Sequence, residues 1–229
     1  MPLTVSPESN PIPLYPVFLD LSGKTVLVVG GGHVATRKLQ RLTEHTCHIV
    51  VLSPACSDET KTLIEAAPSI FWLKRWYSFE ALEEAQPHVV FACTNDENTN
   101  QSIVEHCKRL GIIVNSATHG HWPGDAIIPS QSHLANNQLQ IALSTGSNSP
   151  ILTRYFRKQI EKTFDTPATA RLLKLFKTLR LQLKEAIPEQ ETRQQMLESI
   201  LSNPELQTRI EAADFSEEAL LDWARHLVK

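Results

Sequence analysis

Four stretches of this 229-residue chain hold residue types at spacings that can do chemistry. The first is Gly30-Gly31-Gly32-His33-Val34-Ala35, which fits G-x-G-x-x-G/A. In that pattern the first glycine permits a tight turn. The second, Gly32, lets backbone approach a pyrophosphate, and a small residue at Ala35 lets a helix pack close to a strand. The free N–H groups and positive dipole end of the helix then face the phosphates. Gly30, Gly31, Gly32, His33, Val34 and Ala35 are therefore the expected dinucleotide cradle. The second stretch, Thr94-Asn95-Asp96, follows an apolar run; Thr94 and Asn95 are placed to meet the nucleotide, and Asp96 to cap the next helix. The third, residues 116–125, holds His119, His121 and Asp125, the groups there able to accept a proton at neutral pH. His119-x-His121 also has the spacing of two metal ligands, without a clear third. The fourth, Ser144-Thr145-Gly146-Ser147-Asn148-Ser149-Pro150, leads into a helix whose exposed N–H groups suit a carboxylate.

The elements around these stretches decide whether the first is a binding turn or an accident of composition. Thr25-Val26-Leu27-Val28-Val29 is a continuous β-branched and aliphatic run, as in a strand buried on both faces. A helical pattern of Val34, Ala35, Lys38, Leu39 and Leu42 follows the glycines. Strand-like runs recur at 48–52, 70–73, 88–93 and 112–115, separated by helical segments near 57–67, 79–85 and 99–110. That alternation predicts an α/β fold, a parallel doubly wound Rossmann-type sheet with ligands at its carboxyl edge. Ser53, at the end of the second strand, is the candidate ribose contact. No acid follows it until Asp58 and no basic cluster surrounds it, so NAD and NADP are weakly distinguished. After residue 115 the pattern changes. Two further strands are expected at 126–129 and 138–143, then a helix at 151–164 and helices from 168 onward, broken near Pro188 and Pro204.

Composition narrows the class. Apolar residues make up 41% and charged residues 21% of the chain, which is ordinary for a folded protein and excludes a disordered one. The net charge of −3 argues against nucleic acid as the main partner. No segment approaches a membrane span, and residues 1–16 have neither the basic start nor the apolar core of a signal peptide, so a cytoplasmic protein is expected. Cys47, Cys56, Cys93 and Cys107 form no CxxC pair and read as buried, reduced thiols. Residues 151–187 carry nine Lys or Arg against three acids. That stretch is either a solvated helix face or a surface for a polyanion.

These segments resemble a known family in order and spacing. They are YPVFLDL (15–21), VLVVGGGHVATRKLQRL (26–42), FACTND (91–96), IIPS (127–130) and LSTGSNSPILTRYFRKQIE (143–161). The chain is similar to precorrin-2 dehydrogenase, the family of siroheme synthase N-terminal regions and their stand-alone relatives, some of which are also sirohydrochlorin ferrochelatases. The resemblance implies a Rossmann domain (1–115), a dimerisation region (116–150) through which two subunits intertwine, and a helical domain (151–229). It implies NAD as cofactor and a tetrapyrrole substrate lying between domains, with Fe2+ as a second substrate where chelation occurs. Precorrin-2 carries eight carboxylates, for which the resemblance offers Asn115, Ser144, Thr145, Gly146, Ser149, Arg154 and Arg157, with Lys158 beside them. One departure is clear. The family usually reads Asn-x-x-Asp after the fifth strand, the aspartate being its acid/base group. This chain reads Asn115-Ser116-Ala117-Thr118. His119, His121 and Asp125 are its substitute candidates, His119 first; the alternative is a member that binds its ligands and has lost its base.

Overall fold

A computed structural model describes residues 14–117, 124–146, 149–211 and 217–227. The chain divides into two compact units, residues 1–128 and 129–229.

The first unit is built on five parallel strands: β1 (Thr25–Val29), β2 (His48–Leu52), β3 (Ile70–Leu73), β4 (Val89–Ala92) and β5 (Ile113–Ser116). Their order across the sheet is β3-β2-β1-β4-β5. The chain runs outward from β1 to β3, then returns to lay β4 on the other side of β1. The order therefore reverses between β1 and β4, and in such sheets ligands bind at that reversal, beyond the strand carboxyl ends. Register places Val29 opposite both Leu52 and Ala92, so the loops after β1, β2 and β4 leave the sheet at one level.

Successive residues of a strand point to opposite faces. Val26 and Val28 of β1 join one buried cluster, with Ala35, Leu39 and Leu42 of helix α1 (His33–Leu42) and, partly buried, Leu63 and Ile64 of α2 (Asp58–Ala66). Leu27 and Val29 join the other. There they meet Ala81 and Leu82 of α3 (Phe79–Ala85) and Ile103, Val104 and Cys107 of α4 (Glu97–Leu110). With helices on both faces, the strands read as unbroken apolar runs. Side-chain caps start α2, α3 and α4. Ser57, Ser78 and Asp96 accept hydrogen bonds from the backbone N–H of Thr60, Ala81 and Thr99.

The second unit begins with an antiparallel hairpin, β6 (Ser130–Leu134) and β7 (Leu139–Leu143). This corrects the strand expected at 126–129. That run is apolar but ends in Pro129, which has no N–H to give a ladder. The strand itself, Ser-Gln-Ser-His-Leu, shows no apolar alternation. Its position follows from a turn in which Ala135, Asn136 and Asn137 all take left-handed backbone. Helix α5 (Pro150–Phe164) follows, then α6 (Pro167–Ala186), α7 (Gln190–Leu201), α8 (Pro204–Glu211) and α9 (Glu217–Leu227). Leu175, Leu179, Ile200, Leu206 and Ile210 form the core of this helical part. Helix α5 buries no residue completely, and Ile151, Leu152, Tyr155 and Phe156 stand on its surface. The hairpin is tied to α5 at two points: Ser132 Oγ donates to Glu161, and the Ala135 N–H donates to Asp165. Among the described residues no helix is long and apolar enough to cross a membrane.

Candidate dinucleotide site

Three loops converge at the carboxyl edge of the sheet. Gly30 leaves β1 with φ +114°, a conformation open to glycine, and its N–H donates to the Leu52 carbonyl of β2. A Cβ on Gly30 would lie 2.5 Å from the Cys93 carbonyl oxygen of the β4–α4 loop. A Cβ on Gly31 would lie 2.4 Å from the Ala55 carbonyl oxygen and 2.6 Å from Cys56 Sγ, in the loop after β2. Gly30 and Gly31 are thus required by protein packed against them. Gly32 is different: beyond its chain neighbours, no atom lies within 4 Å of the place its Cβ would take. It caps α1 in extended backbone, and its carbonyl accepts the first helical hydrogen bond, from the Thr36 N–H. Crowding on one side and open space beside the helix N-terminus make a cradle that fits a pyrophosphate. Ala35 is fully buried against the sheet and Val34 packs beside it, as the fingerprint requires.

The remaining nucleotide candidates are held by specific bonds. The Ser53 hydroxyl turns inward to donate to the Ala55 carbonyl at 2.6 Å, shaping the loop after β2 from within. The Ser53 carbonyl accepts from Trp72 Nε1 at 2.9 Å. His33, at the first turn of α1, sits 3.1 Å from Glu59 of α2. Thr94 is gripped by the buried side chain of Asn100, which accepts from its N–H and hydroxyl and donates to its carbonyl. Asn95 beside it is exposed, and Asp96 is the N-cap of α4. Lys38 lies along β4 with its ammonium 5.4 Å from the Phe91 ring centre; burial pulls its pKa down, opposed by nearby Cys93. Burial pushes the Cys93 thiol up to about 11, so it stays protonated and inert.

Past β5, the Asn115 amide donates to the Ala126 carbonyl at 2.9 Å, drawing residues 124–126 back along the strand. Asp125 is exposed there, and its backbone N–H bonds to Val114. His119 and His121 lie outside the described residues, as does Thr118. In the second unit, Ser144, Thr145 and Gly146 precede α5, Ser149 caps it, and Arg154 and Arg157 lie further along it. The Ser144 hydroxyl accepts from the Gly146 N–H, Thr145 pairs with Thr153 at 2.8 Å, and Ser149 caps the helix through the Leu152 N–H. Arg157 is engaged by Glu161 one turn on, whereas Arg154 and Lys158 are exposed. Among the described residues no group of His, Cys, Asp and Glu is arranged to hold a metal ion.

Sequence reasoning passed over Thr36, Thr60 and Asn100. All are buried polar residues inside helices, where period and hydropathy carry no sign of them.

A sheet ordered 3-2-1-4-5 with a glycine turn at its reversal defines a Rossmann dinucleotide-binding protein. Residues 17–130 match a family model described as "Putative NAD(P)-binding". The chain is 36% identical over 190 residues to siroheme synthase of Thioalkalivibrio sulfidiphilus, covering 83% of this chain and 37% of that protein. It is 31% identical over 210 residues to siroheme synthase of Methylococcus capsulatus, covering 91% and 43%. It therefore spans about two fifths of the length of these relatives. Among solved structures, "SirC, precorrin-2 dehydrogenase" superposes with a TM-score of 0.69 at 25% identity, covering 93% of this chain and all of that one. The chain belongs to the precorrin-2 dehydrogenase family, and its first unit is of the NAD(P)-binding kind.

Proposed function

We propose that this protein is an NAD-dependent dehydrogenase that converts precorrin-2 to sirohydrochlorin in siroheme synthesis, acting in the cytoplasm. The observation that carries the reading is joint. A complete dinucleotide cradle at the sheet reversal occurs in a chain whose hairpin and helices extend the likeness to SirC over the whole of that protein. Bound NAD+ supplies the hydride acceptor. The chain's own groups do the rest. Gly32 and the first turn of α1 hold the pyrophosphate, Thr94 and Asn95 border the nucleotide, and Ser53 shapes the ribose side. Ser144, Thr145, Gly146, Ser149 and Asn115, with Arg154, Arg157 and Lys158, bind substrate carboxylates. A base in the 116–125 loop takes the proton released as conjugation extends. His119 is ranked first for its place beside the family aspartate's position, ahead of Asp125 and His121. The protein acts as a homodimer of three regions, with 116–150 forming the subunit interface.

The test is anaerobic incubation of the protein with precorrin-2 and NAD+, followed at the NADH absorbance band. His119→Ala lowers the rate at least about tenfold without changing NAD+ affinity. If alanine at all three loop candidates leaves the rate unchanged, the loop holds no base. Adding Fe2+ to the product mixture tests chelation. One observation favours a second reading: Thr118, which cannot titrate near neutral pH, stands where the family places its aspartate. A wild-type protein that binds NAD+ and yields no NADH would make this a binding member of the family.

A further inference from the structure

The Gly31 carbonyl, in the middle of the phosphate-binding turn, is held from helix α2. It accepts from the Ser57 N–H at 2.8 Å and from the Thr60 hydroxyl at 3.1 Å. Thr60 is completely buried, and its Oγ1 lies 2.7 Å from Thr36 Oγ1 and 3.0 Å from Ser57 Oγ. Three hydroxyls own three protons. With the Thr60 proton on the Gly31 carbonyl, the Thr60 oxygen accepts from both neighbours and every group is satisfied. Thr36 has the Gly32 carbonyl, 3.2 Å away, as its alternative acceptor.

The consequence lies in the peptide between Gly31 and Gly32. Across a trans peptide the carbonyl and the following N–H point in opposite directions. A Gly31 carbonyl pinned toward α2 turns the Gly32 N–H away from α2, on the residue whose surroundings are open. The same first turn of α2 follows the loop that shapes the ribose side, so one buried hydroxyl fixes two parts of the cradle against each other.

We propose that Thr60 is a positioning residue for the dinucleotide: its buried hydroxyl, relayed to Thr36 and Ser57, sets the Gly31–Gly32 peptide plane that presents the Gly32 N–H to the pyrophosphate. This rests on the cofactor reading above. The experiment compares full-length wild type, Thr60→Val and Thr60→Ser by calorimetric titration with NAD+ and by thermal unfolding. Valine keeps the shape and removes the donor, so NAD+ affinity falls about five- to tenfold, the effect of one neutral hydrogen bond. Serine keeps the donor and loses a buried methyl. It melts lower than wild type yet binds NAD+ within about twofold. If affinity simply follows melting temperature across the two variants, Thr60 is structural only and the proposal is overturned. Equal affinity in Thr60→Val and wild type overturns it as well. Should Thr60→Val fail to fold, Thr60→Ala against Thr60→Ser makes the same comparison. A wild type that binds no NAD+ removes the cofactor reading itself, a result distinct from either.

Discussion

Gly30 and Gly32 differ in what surrounds them, and replacing each by alanine separates folding from binding. At Gly30 a side chain meets two penalties. The backbone φ of +114° is foreign to alanine, which costs roughly 1–3 kcal/mol. The new Cβ would sit 2.5 Å from the Cys93 carbonyl oxygen, a backbone atom that cannot swing aside; relieving such overlap costs roughly 1–3 kcal/mol more. A total near 4 kcal/mol corresponds to a fall in melting temperature of about 10 °C for a chain of this size. At Gly32 neither penalty applies. The backbone is extended, and nothing but its chain neighbours approaches. Alanine for glycine at a helix N-cap costs about 0.5–1 kcal/mol, or about 2–3 °C. Its methyl group, however, projects into the open side of the turn and holds off the pyrophosphate, so NAD+ binding weakens at least about tenfold, or ~1.4 kcal/mol. Scanning calorimetry and titration calorimetry on the two variants read both effects. A Gly30→Ala protein melting within about 2 °C of wild type, or a Gly32→Ala protein binding NAD+ at wild-type affinity, would refute the reasoning.

Three further outcomes are expected. Burial pushes the Cys93 thiol up to about 11 and, with some help from the Asp125 charge, Cys107 up to about 12. The unfolded chain releases those protons near pH 9 while the folded one keeps them, so this stability is complete below pH 9 and lost as pH rises toward 12. Urea midpoints at pH 8 and pH 10.5 should show a loss of up to about 1.4 kcal/mol per pH unit per thiol, smaller in Cys107→Ala. Asn100→Leu takes the partner from the Thr94 N–H and carbonyl, while the hydroxyl keeps the Asp96 carbonyl; it should cost about 2–4 kcal/mol, read as a lowered melting temperature, and an unchanged one would show that the grip on Thr94 contributes nothing. Ile128→Glu combined with Ile141→Glu, both within 116–150, should convert a sedimenting dimer into a monomer, and a monomeric wild type would end the dimer reading.

The Rossmann unit was legible because both its signals are local. Strands buried on two faces give unbroken runs such as Val26–Val29, and the fingerprint needs its glycines at fixed offsets from a strand and a helix. The hairpin was misplaced because β6 carries its information in a left-handed turn at Ala135–Asn137 and in a side-chain bond from Ser132 to Glu161, neither of which has a hydropathy signature. An apolar run at 126–129 drew the expected strand to itself. Thr36, Thr60 and Asn100 escaped notice because a buried hydroxyl or amide gains meaning only from partners far along the chain. Asn115, a substrate group by the resemblance alone, also has a local role that no spacing announces: its amide donates to the Ala126 carbonyl.

Trp72 gives this protein an optical reporter already wired to the loop after β2. Its indole nitrogen is bonded to the Ser53 carbonyl, and the Lys74 ammonium lies 4.5 Å from its ring centre. Indole emission responds to the charge and hydrogen bonding around the ring, and it overlaps the absorption of reduced nicotinamide. Any displacement of the Ser53 loop would alter the intensity or colour of Trp72, and a reduced dinucleotide bound nearby would drain that emission by energy transfer. Binding and turnover can be followed in the unlabelled protein, with Trp72→Phe as the blank that identifies the responding tryptophan.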